Sequence, residues 1–505
     1  MQARGSIAIY SGPKMTRHLR RSTGSWFLTE GLAPIVSAPL SLLRMQPPPP
    51  ASSQNVSVPP PPVPAKGGLR SIALKASAYE LVGFATTQIL RLISNLVLTR
   101  LLFPEAFGLS SIVAVYCQGL TMLSDVGIGA SVIRSPEGDD ENFLNTAWTI
   151  SVVRGAGLYL IALVLAWPAA ALFGEEQLGP LLAVGSAGIL ISGFNSTTLL
   201  TLRRRVQSRT LILLELVTQV LGLVAIVVTA YITRSVWALI VGTHVSTIFR
   251  TLVTHFYFNL GYRNRFHWSK EAADSILKFG KWIFLSSAFQ FLAQQADRIF
   301  LGRMAGMAEL GVYTVAATLS ELGGQLVVRL THQILYPILS RVHREDPQRL
   351  TDTYYKARLA LDTSIQSMAG VGCMLAPQVI ELLYDDRYAS AGWMLRVLMV
   401  RTAIAGIVTP CESCLFALGH SKFGFLKSML RVSSVVIGLP VASHFWGITG
   451  VVWVTALADL PSLVALLYFF HQKGLFRFTR ELVGPLAFAG GALVAWPISL
   501  LWNSL

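Results

Sequence analysis

Arginine, glutamine and aspartate recur in this chain where long apolar runs should exclude them. Thr87, Arg91, Ser94 and Asn95 repeat at helical spacing along one face of an apolar segment, and Gln290, Gln294, Asp297 and Arg298 do the same in a later one. Arg154, Arg250, Arg396 and Arg401 stand inside other apolar segments, as do Glu321, Gln325 and Arg329. An arginine at the bilayer centre costs about 2.5–3.5 kcal/mol even on insertion scales, so such residues face a bundle interior or a water-filled cavity. With guanidinium in excess over carboxylate, that cavity favours an anionic passenger, because the planar fork of arginine matches phosphate oxygens in pairs.

The candidate binding residues are therefore Arg91, Arg154, Gln290, Gln294, Arg298, Arg396 and Arg401. Asp297 is the candidate proton- or sodium-coupling carboxylate, an intramembrane acid whose charge could bias two conformations, with Glu215 and Asp362 as alternatives. Purely structural readings compete with these. Asp297 beside Arg298 also reads as a packing pair, and Arg250 and Arg329 as side chains that snorkel to the interface. Asp125, followed by Gly127 and Gly129, reads as a helix end, and the acidic pairs Asp139-Asp140 and Asp385-Asp386 as solvated loop charges.

The elements that must position these groups follow from composition. Of 505 residues, 53% are hydrophobic and only 13% charged, and the mean hydropathy is +0.55. Soluble domains carry about 25% charged residues, so a water-soluble globule is excluded. Apolar stretches of about 20 residues, enough to cross about 30 Å of hydrocarbon, recur throughout, and helices satisfy their own backbone groups in lipid. The expected fold is an all-α integral membrane protein with spans at 78–100, 109–133, 143–167, 180–202, 210–232 and 236–258, then 281–302, 311–336, 358–380, 391–416, 424–445 and 448–470. A stretch at 482–502, weakened by Pro485 and Pro497, adds a thirteenth candidate.

The chain also repeats itself. Leu98-Thr-Arg-Leu-Leu-Phe-Pro-Glu-Ala-Phe-Gly-Leu109 and Leu301-Gly-Arg-Met-Ala-Gly-Met-Ala-Glu-Leu-Gly-Val312 align with Arg100 on Arg303 and Gly108 on Gly311, an offset of 203. The same offset sets Arg91 against Gln294 and Ser94 against Asp297, so two equivalent helices should line one central cavity. An even number of crossings separates the copies, which makes this a parallel repeat of two six-helix bundles. Arg100 and Arg303, beside the repeated turn, read as interfacial or gating residues.

This divides the chain into a tail (1–70), a first bundle (71–260), a cytoplasmic linker (261–280), a second bundle (281–472), and a loop with the extra helix (473–505). Arg203, Arg204, Arg205 and Arg209, then Arg263, Arg265, Lys270 and Lys278, then Arg341, Arg344, Arg349 and Lys356 fall in loops on one side. The positive-inside rule places that side and the N-terminus in the cytoplasm, so the net charge of +15 reflects topology and argues for no nucleic-acid partner. The tail, with Pro47 to Pro50 and Pro59 to Pro62, reads as disordered or as sequence upstream of the true start. Its apolar stretch is interrupted by Pro34 and Pro39 and does not read as a signal peptide.

Several chemistries are excluded or disfavoured. No Gly-x-x-x-x-Gly-Lys-Ser/Thr loop is present, so the chain does not hydrolyse ATP through one. Cys117, Cys373, Cys411 and Cys414 fall in spans, and Cys411-Glu-Ser-Cys414 lacks the context of a redox motif, so no cofactor or metal is expected. Short outer loops, and the lack of an early outer-loop carboxylate pair of the lipid-linked glycosyltransferase type, argue against a membrane glycosyltransferase or polymerase.

Leu277-Lys-Phe-Gly-Lys-Trp, Gln295-Ala-Asp-Arg-Ile-Phe-Leu-Gly-Arg-Met-Ala-Gly and Leu310-Gly-Val-Tyr-Thr-Val-Ala316 resemble the second-half signature of the Wzx-type polysaccharide flippases. Thr99 to Gly108 and Asp125-Val-Gly-Ile-Gly-Ala-Ser-Val-Ile-Arg134 resemble the opening helices of the same family, which lies within the multidrug/oligosaccharidyl-lipid/polysaccharide exporter superfamily. The resemblance covers about residues 70–470 and is strongest to the exopolysaccharide, colanic-acid-like branch. It implies a V-shaped cavity between two bundles and alternating-access flipping of undecaprenyl-pyrophosphate-linked oligosaccharide across the bacterial inner membrane. A polysaccharide polymerase and co-polymerase are the implied partners, with membrane lipids around them. The rivals are a multidrug exporter, which should show cavity carboxylates, and a lipid II exporter. The proline-rich extension and the odd thirteenth span depart from the family pattern.

Overall fold

The protein is described here by a computed structural model covering residues 66–258, 263–420 and 422–504, so the proline-rich tail lies outside the described residues apart from its last few positions. Helices are the only regular elements among those residues. The first bundle contains α1 (Lys66–Leu101), α2 (Pro104–Met122), α3 (Ile128–Arg134), α4 (Glu141–Phe173), α5 (Leu178–Gly185), α6 (Ala187–Gly193), α7 (Thr198–Arg204), α8 (Ser208–Thr233) and α9 (Trp237–Phe256). The second contains α10 (Lys270–Met304), α11 (Gly306–Leu330), α12 (Tyr336–Glu345), α13 (Leu350–Leu361), α14 (Ser367–Leu383), α15 (Ala391–Ala417), α16 (Lys422–Leu457), α17 (Leu460–Gln472), α18 (Phe478–Glu481) and α19 (Val483–Asn503).

Local chemistry explains the breaks. Pro104 opens α2 in its first turn, where a missing N–H costs nothing. The Asp140 carboxylate accepts the Phe143 amide at 3.0 Å to start α4, so this acid is a helix cap, while Asp139 pairs with Arg204 at 2.9 Å. Both stay exposed in the loop before α4, as solvated charges should, and each has a partner besides. Asp125 Oδ1 accepts the Gly127 amide at 2.9 Å in the turn between α2 and α3. Gly447, at φ 57° and ψ −138°, turns the chain back between two helical runs, at the boundary expected between 445 and 448.

Seven helical segments among the described residues have the length and apolarity of a membrane span, and Leu178–Gly193 with Thr198–Arg204, bent by 63°, makes an eighth. Four expected spans fall short: those carried by α2, α9, α10 and α11. Each devotes a face to polar side chains that line interior cavities, such as Gln118, Arg250, Gln294 and Glu321. The outward faces are apolar: Val164, Leu172, Ile232, Ile437, Val464 and Leu486 are all exposed, as hydrocarbon-facing residues should be.

The two bundles meet where α2 packs on α11 and α10, with Gly108 and Gly311 at the crossing. The segment before α10 is extended and fastened to α4 by alternate amides. Arg265 N donates to Asn145 Oδ1 (3.0 Å), His267 N to Thr149 Oγ1 (3.1 Å) and Ser269 N to Thr146 Oγ1 (3.1 Å). The first turns of α10 then bury Ala272, Ala273 and Ile276 against Phe143, Leu144 and Ala147 of α4.

α19 lies along α14, with Gln378 Nε2 donating to Ser499 Oγ at 3.0 Å. The turn leading into it carries Glu481, whose carboxylate meets Arg358 at 2.7 Å, while Arg358 also pairs with Asp362 at 3.0 Å. Arg358 has no exposed surface, so the extra helix delivers a counter-charge to a fully buried guanidinium.

Candidate functional site

A cavity of about 1030 Å³ lies between the bundles. α1 contributes Thr87, Gln88 and Arg91, α10 contributes Gln290, Gln294 and Arg298, and α11 contributes Glu321 and Gln325. The two polar faces related by the 203-residue offset thus border one space. Gln88 Nε2 bridges the bundles by donating to Gln325 Oε1 at 2.7 Å.

The wall is a chain of hydrogen bonds and ion pairs. Gln118 accepts from Gln295 Nε2 (2.8 Å), Gln295 accepts from Arg298 Nη1 (3.0 Å), and Arg298 Nη2 meets Glu321 Oε1 at 2.7 Å. Arg431 pairs with Asp459 at 2.5 Å and donates Nε to the Ala293 carbonyl at 3.1 Å, and Lys427 pairs with Glu412 at 2.5 Å. Asp459 occupies the break between α16 and α17, which lets a carboxylate enter the cavity from within a span. Arg329 sits over the Phe84 ring at 4.6 Å, a cation–π contact across the bundles and a departure from snorkelling. Six cations (Arg91, Arg298, Arg329, Arg401, Lys427, Arg431) face four carboxylates (Glu215, Glu321, Glu412, Asp459), so the lining is net positive. Arg91 is exposed to the cavity and has no ion-pair partner among the described residues.

The structure brings Arg91, Gln290, Gln294, Arg298 and Arg401 to this one cavity. Asp297 lies behind the wall: it is buried, accepts the Tyr313 hydroxyl at 2.5 Å and the Arg298 amide at 2.9 Å, and its charge acts on Arg401. Arg154 lies in a separate pocket of the first bundle, 3.6 Å from Asp125. Arg396 is exposed on α15, away from both spaces. Gln118, Glu412, Lys427, Arg431 and Asp459 are cavity residues that the sequence reading passed over. The repeat offset alone pairs Gln118 with Glu321, and charged residues inside expected spans were a signal for the rest.

The bundles are fastened to each other at one end of their interface. Beyond Gly108, the turn after α14 grips the first bundle: Tyr384 donates to Asn95 Oδ1 (3.3 Å), Arg387 Nη2 to the Thr99 carbonyl (3.3 Å) and Tyr388 to the Leu102 carbonyl (3.3 Å). Arg387 lies 4.9 Å from the Phe103 ring centre and is held by Asp385, whose Oδ2 accepts its Nε at 2.9 Å. Asp385 is therefore half of a fastening, which corrects the view of it as an isolated loop charge. The Arg387 guanidinium holds the Asp385 carboxyl below the usual carboxylate range.

A family model described as "Polysaccharide biosynthesis protein" matches residues 97–392. The succinoglycan biosynthesis transport protein ExoT of Rhizobium meliloti (strain 1021) is 22% identical over 421 residues, 79% of this chain and 82% of its own length. The lipopolysaccharide biosynthesis protein WzxC of Escherichia coli (strain K12) is 23% identical over 358 residues, covering 69% of this chain and 71% of its own. Among solved structures, the lipid II flippase MurJ in an inward closed conformation superposes with a TM-score of 0.66 at 14% identity, over 84% of this chain and 97% of that one. An inward-facing MATE multidrug transporter gives 0.58 at 15% identity, over 77% and 94%. The structural likenesses establish the shared fold.

Proposed function

The chain belongs to the polysaccharide biosynthesis protein family, and from that premise we propose that it flips lipid-linked oligosaccharide repeat units across a bacterial inner membrane for surface polysaccharide assembly. The observation that carries this reading is the net-positive cavity between the bundles, with Arg91 unpaired in it. A pyrophosphate-linked glycan offers the phosphate oxygens that guanidinium groups bind in pairs and the hydroxyls that Gln88, Gln290 and Gln294 can meet. The undecaprenyl tail stays in the bilayer while the head group occupies the cavity.

The mechanism we favour is alternating access. The end fastened by Tyr384, Arg387 and Tyr388 is the periplasmic gate, and the basic loops and the N-terminus are cytoplasmic. Asp297, joined to Tyr313 and acting on Arg401, is the residue through which a proton or sodium gradient would bias the cycle. A polysaccharide polymerase and co-polymerase are the partners that would receive the flipped unit. The cavity carboxylates Glu321, Glu412 and Asp459, the expected mark of a cationic-drug exporter, are each bonded to an Arg or Lys of this chain, which leaves the excess charge positive.

The test is complementation of a strain lacking the gene. Wild-type protein should restore surface polymer, and Arg91→Ala and Arg401→Ala, both in the central cavity, should abolish it while remaining in the membrane. Normal polymer output from both variants, or a phenotype confined to drug efflux or to peptidoglycan, overturns the reading.

A further inference from the structure

The first bundle holds a second polar pocket, of about 270 Å³, between α4, α6, α7 and α9. Its charged lining is Arg154, Arg203, Arg250 and a single acid, Asp125. That acid is poorly placed to neutralise three cations. It is 3.6 Å from Arg154, its side chain is nearly half exposed, and its Oδ1 is already engaged by the Gly127 amide. Arg250 is the sharper anomaly: its Nε is buried without a hydrogen-bond partner among the described residues, and it feels the like charge of Arg203 as well as the carboxylate of Glu215, which lines the central cavity instead of this pocket. A buried unpaired guanidinium N–H costs about 1–3 kcal/mol or more when nothing accepts from it. Hydroxyls of Ser151, Ser192, Ser196 and Thr197 complete the walls.

We infer that this pocket binds a phosphoryl anion, held by Arg154 and Arg250 with Arg203 at its rim, independently of the passenger cavity. A tetrahedral phosphoryl group offers at least three oxygens to three guanidinium groups, whereas a carboxylate offers two. The pocket's volume suits one such group and excludes an oligosaccharide. The same chemistry is available from an anionic lipid headgroup or from free phosphate.

The experiment uses the full chain, comparing wild type with Arg250→Gln, Arg154→Gln, Arg250→Lys and, for the central cavity, Arg91→Gln. Native mass spectrometry from nanodiscs reads retention of phosphatidylglycerol over phosphatidylcholine, and thermal unfolding reads stabilisation by inorganic phosphate over chloride at equal ionic strength. Selective lipid retention identifies a headgroup, and phosphate stabilisation without lipid retention identifies a soluble anion; either supports the site. Binding should fall about tenfold or more in Arg250→Gln and Arg154→Gln, the loss expected of one charge-assisted hydrogen bond. Arg250→Lys, retaining the charge, reports whether the Gln variant has lost binding or merely its fold. Neither form of binding in wild type, or an equal loss in Arg91→Gln, overturns the proposal.

Discussion

The carbonyl oxygen of Met307 lies 1.9 Å from the point that a Cβ on Gly108 would occupy, so the first turn of α11 rests directly on the backbone of α2. The contact is reciprocal: a Cβ on Gly311 would fall 1.8 Å from the Pro104 carbonyl. Gly108 and Gly311, and Pro104 and Met307, are the same repeat positions, each pair separated by 203 residues. The duplicated turn that marks the internal repeat is thus also the place where the two copies touch.

Gly108→Val should force this crossing apart. Overpacking of a tight contact costs about 1–3 kcal/mol, enough to shift a two-state equilibrium roughly 5- to 150-fold away from the fastened arrangement. Spin-label distances across α2 and α11 should lengthen, and unchanged distances would show that this crossing does not hold the gate.

Glu481→Ala should destabilise the second bundle by about 3–5 kcal/mol, because Arg358 would keep only Asp362 as counter-charge in a site without solvent. Thermal unfolding in detergent measures this. Replacing Arg358, Asp362 and Glu481 together with Met, Asn and Gln should recover part of the loss, which a purely steric account of Glu481 does not predict.

Glu321→Gln should impair glycan export more than stability. Arg298 would retain Gln295 but lose its carboxylate in a wall that is partly open to the cavity, at a cost of about 1 kcal/mol in folding. Export per folded molecule, normalised to protein in the membrane, separates the two effects.

The Asp385–Arg387 fastening should weaken in acid. Asp385 is held below its ordinary value in the closed structure, so its contribution is complete above an ordinary aspartate pKa of about 3.9 and is lost as pH falls through the depressed value. The side chain is over a third exposed, so the effect is at most about 1 kcal/mol. Gate opening followed by spin labels should rise below about pH 4 in wild type and lose that dependence in Asp385→Asn.

Helical class, the repeat and one polar face on each of α1 and α10 were legible from the chain, because charges in apolar runs and a fixed offset are local signals. Arg154 and Arg396 carried the same signal as Arg401, yet only Arg401 reaches the central cavity. What separates them is helix rotation, which packing sets and an isolated charge does not reveal. Asp459 stood out as a charge inside an expected span, but its place in the cavity was not legible, because it depends on the last paired span breaking at that residue and on Arg431 of the preceding helix. Asp385 read as isolated because its function depends on Thr99 and Phe103, nearly three hundred residues away.

The extended strap before α10 has a mechanical meaning. Its amides and the first turns of α10 are bound to α4, while the far half of the same helix is bonded to Glu321 through Arg298 and to Arg431 through the Ala293 carbonyl. One continuous helix is therefore bonded to α4 at its start and to α2, α11 and α16 in its far half, so it belongs to both bundles. Any relative movement of the two bundles would therefore have to bend or rotate α10 itself.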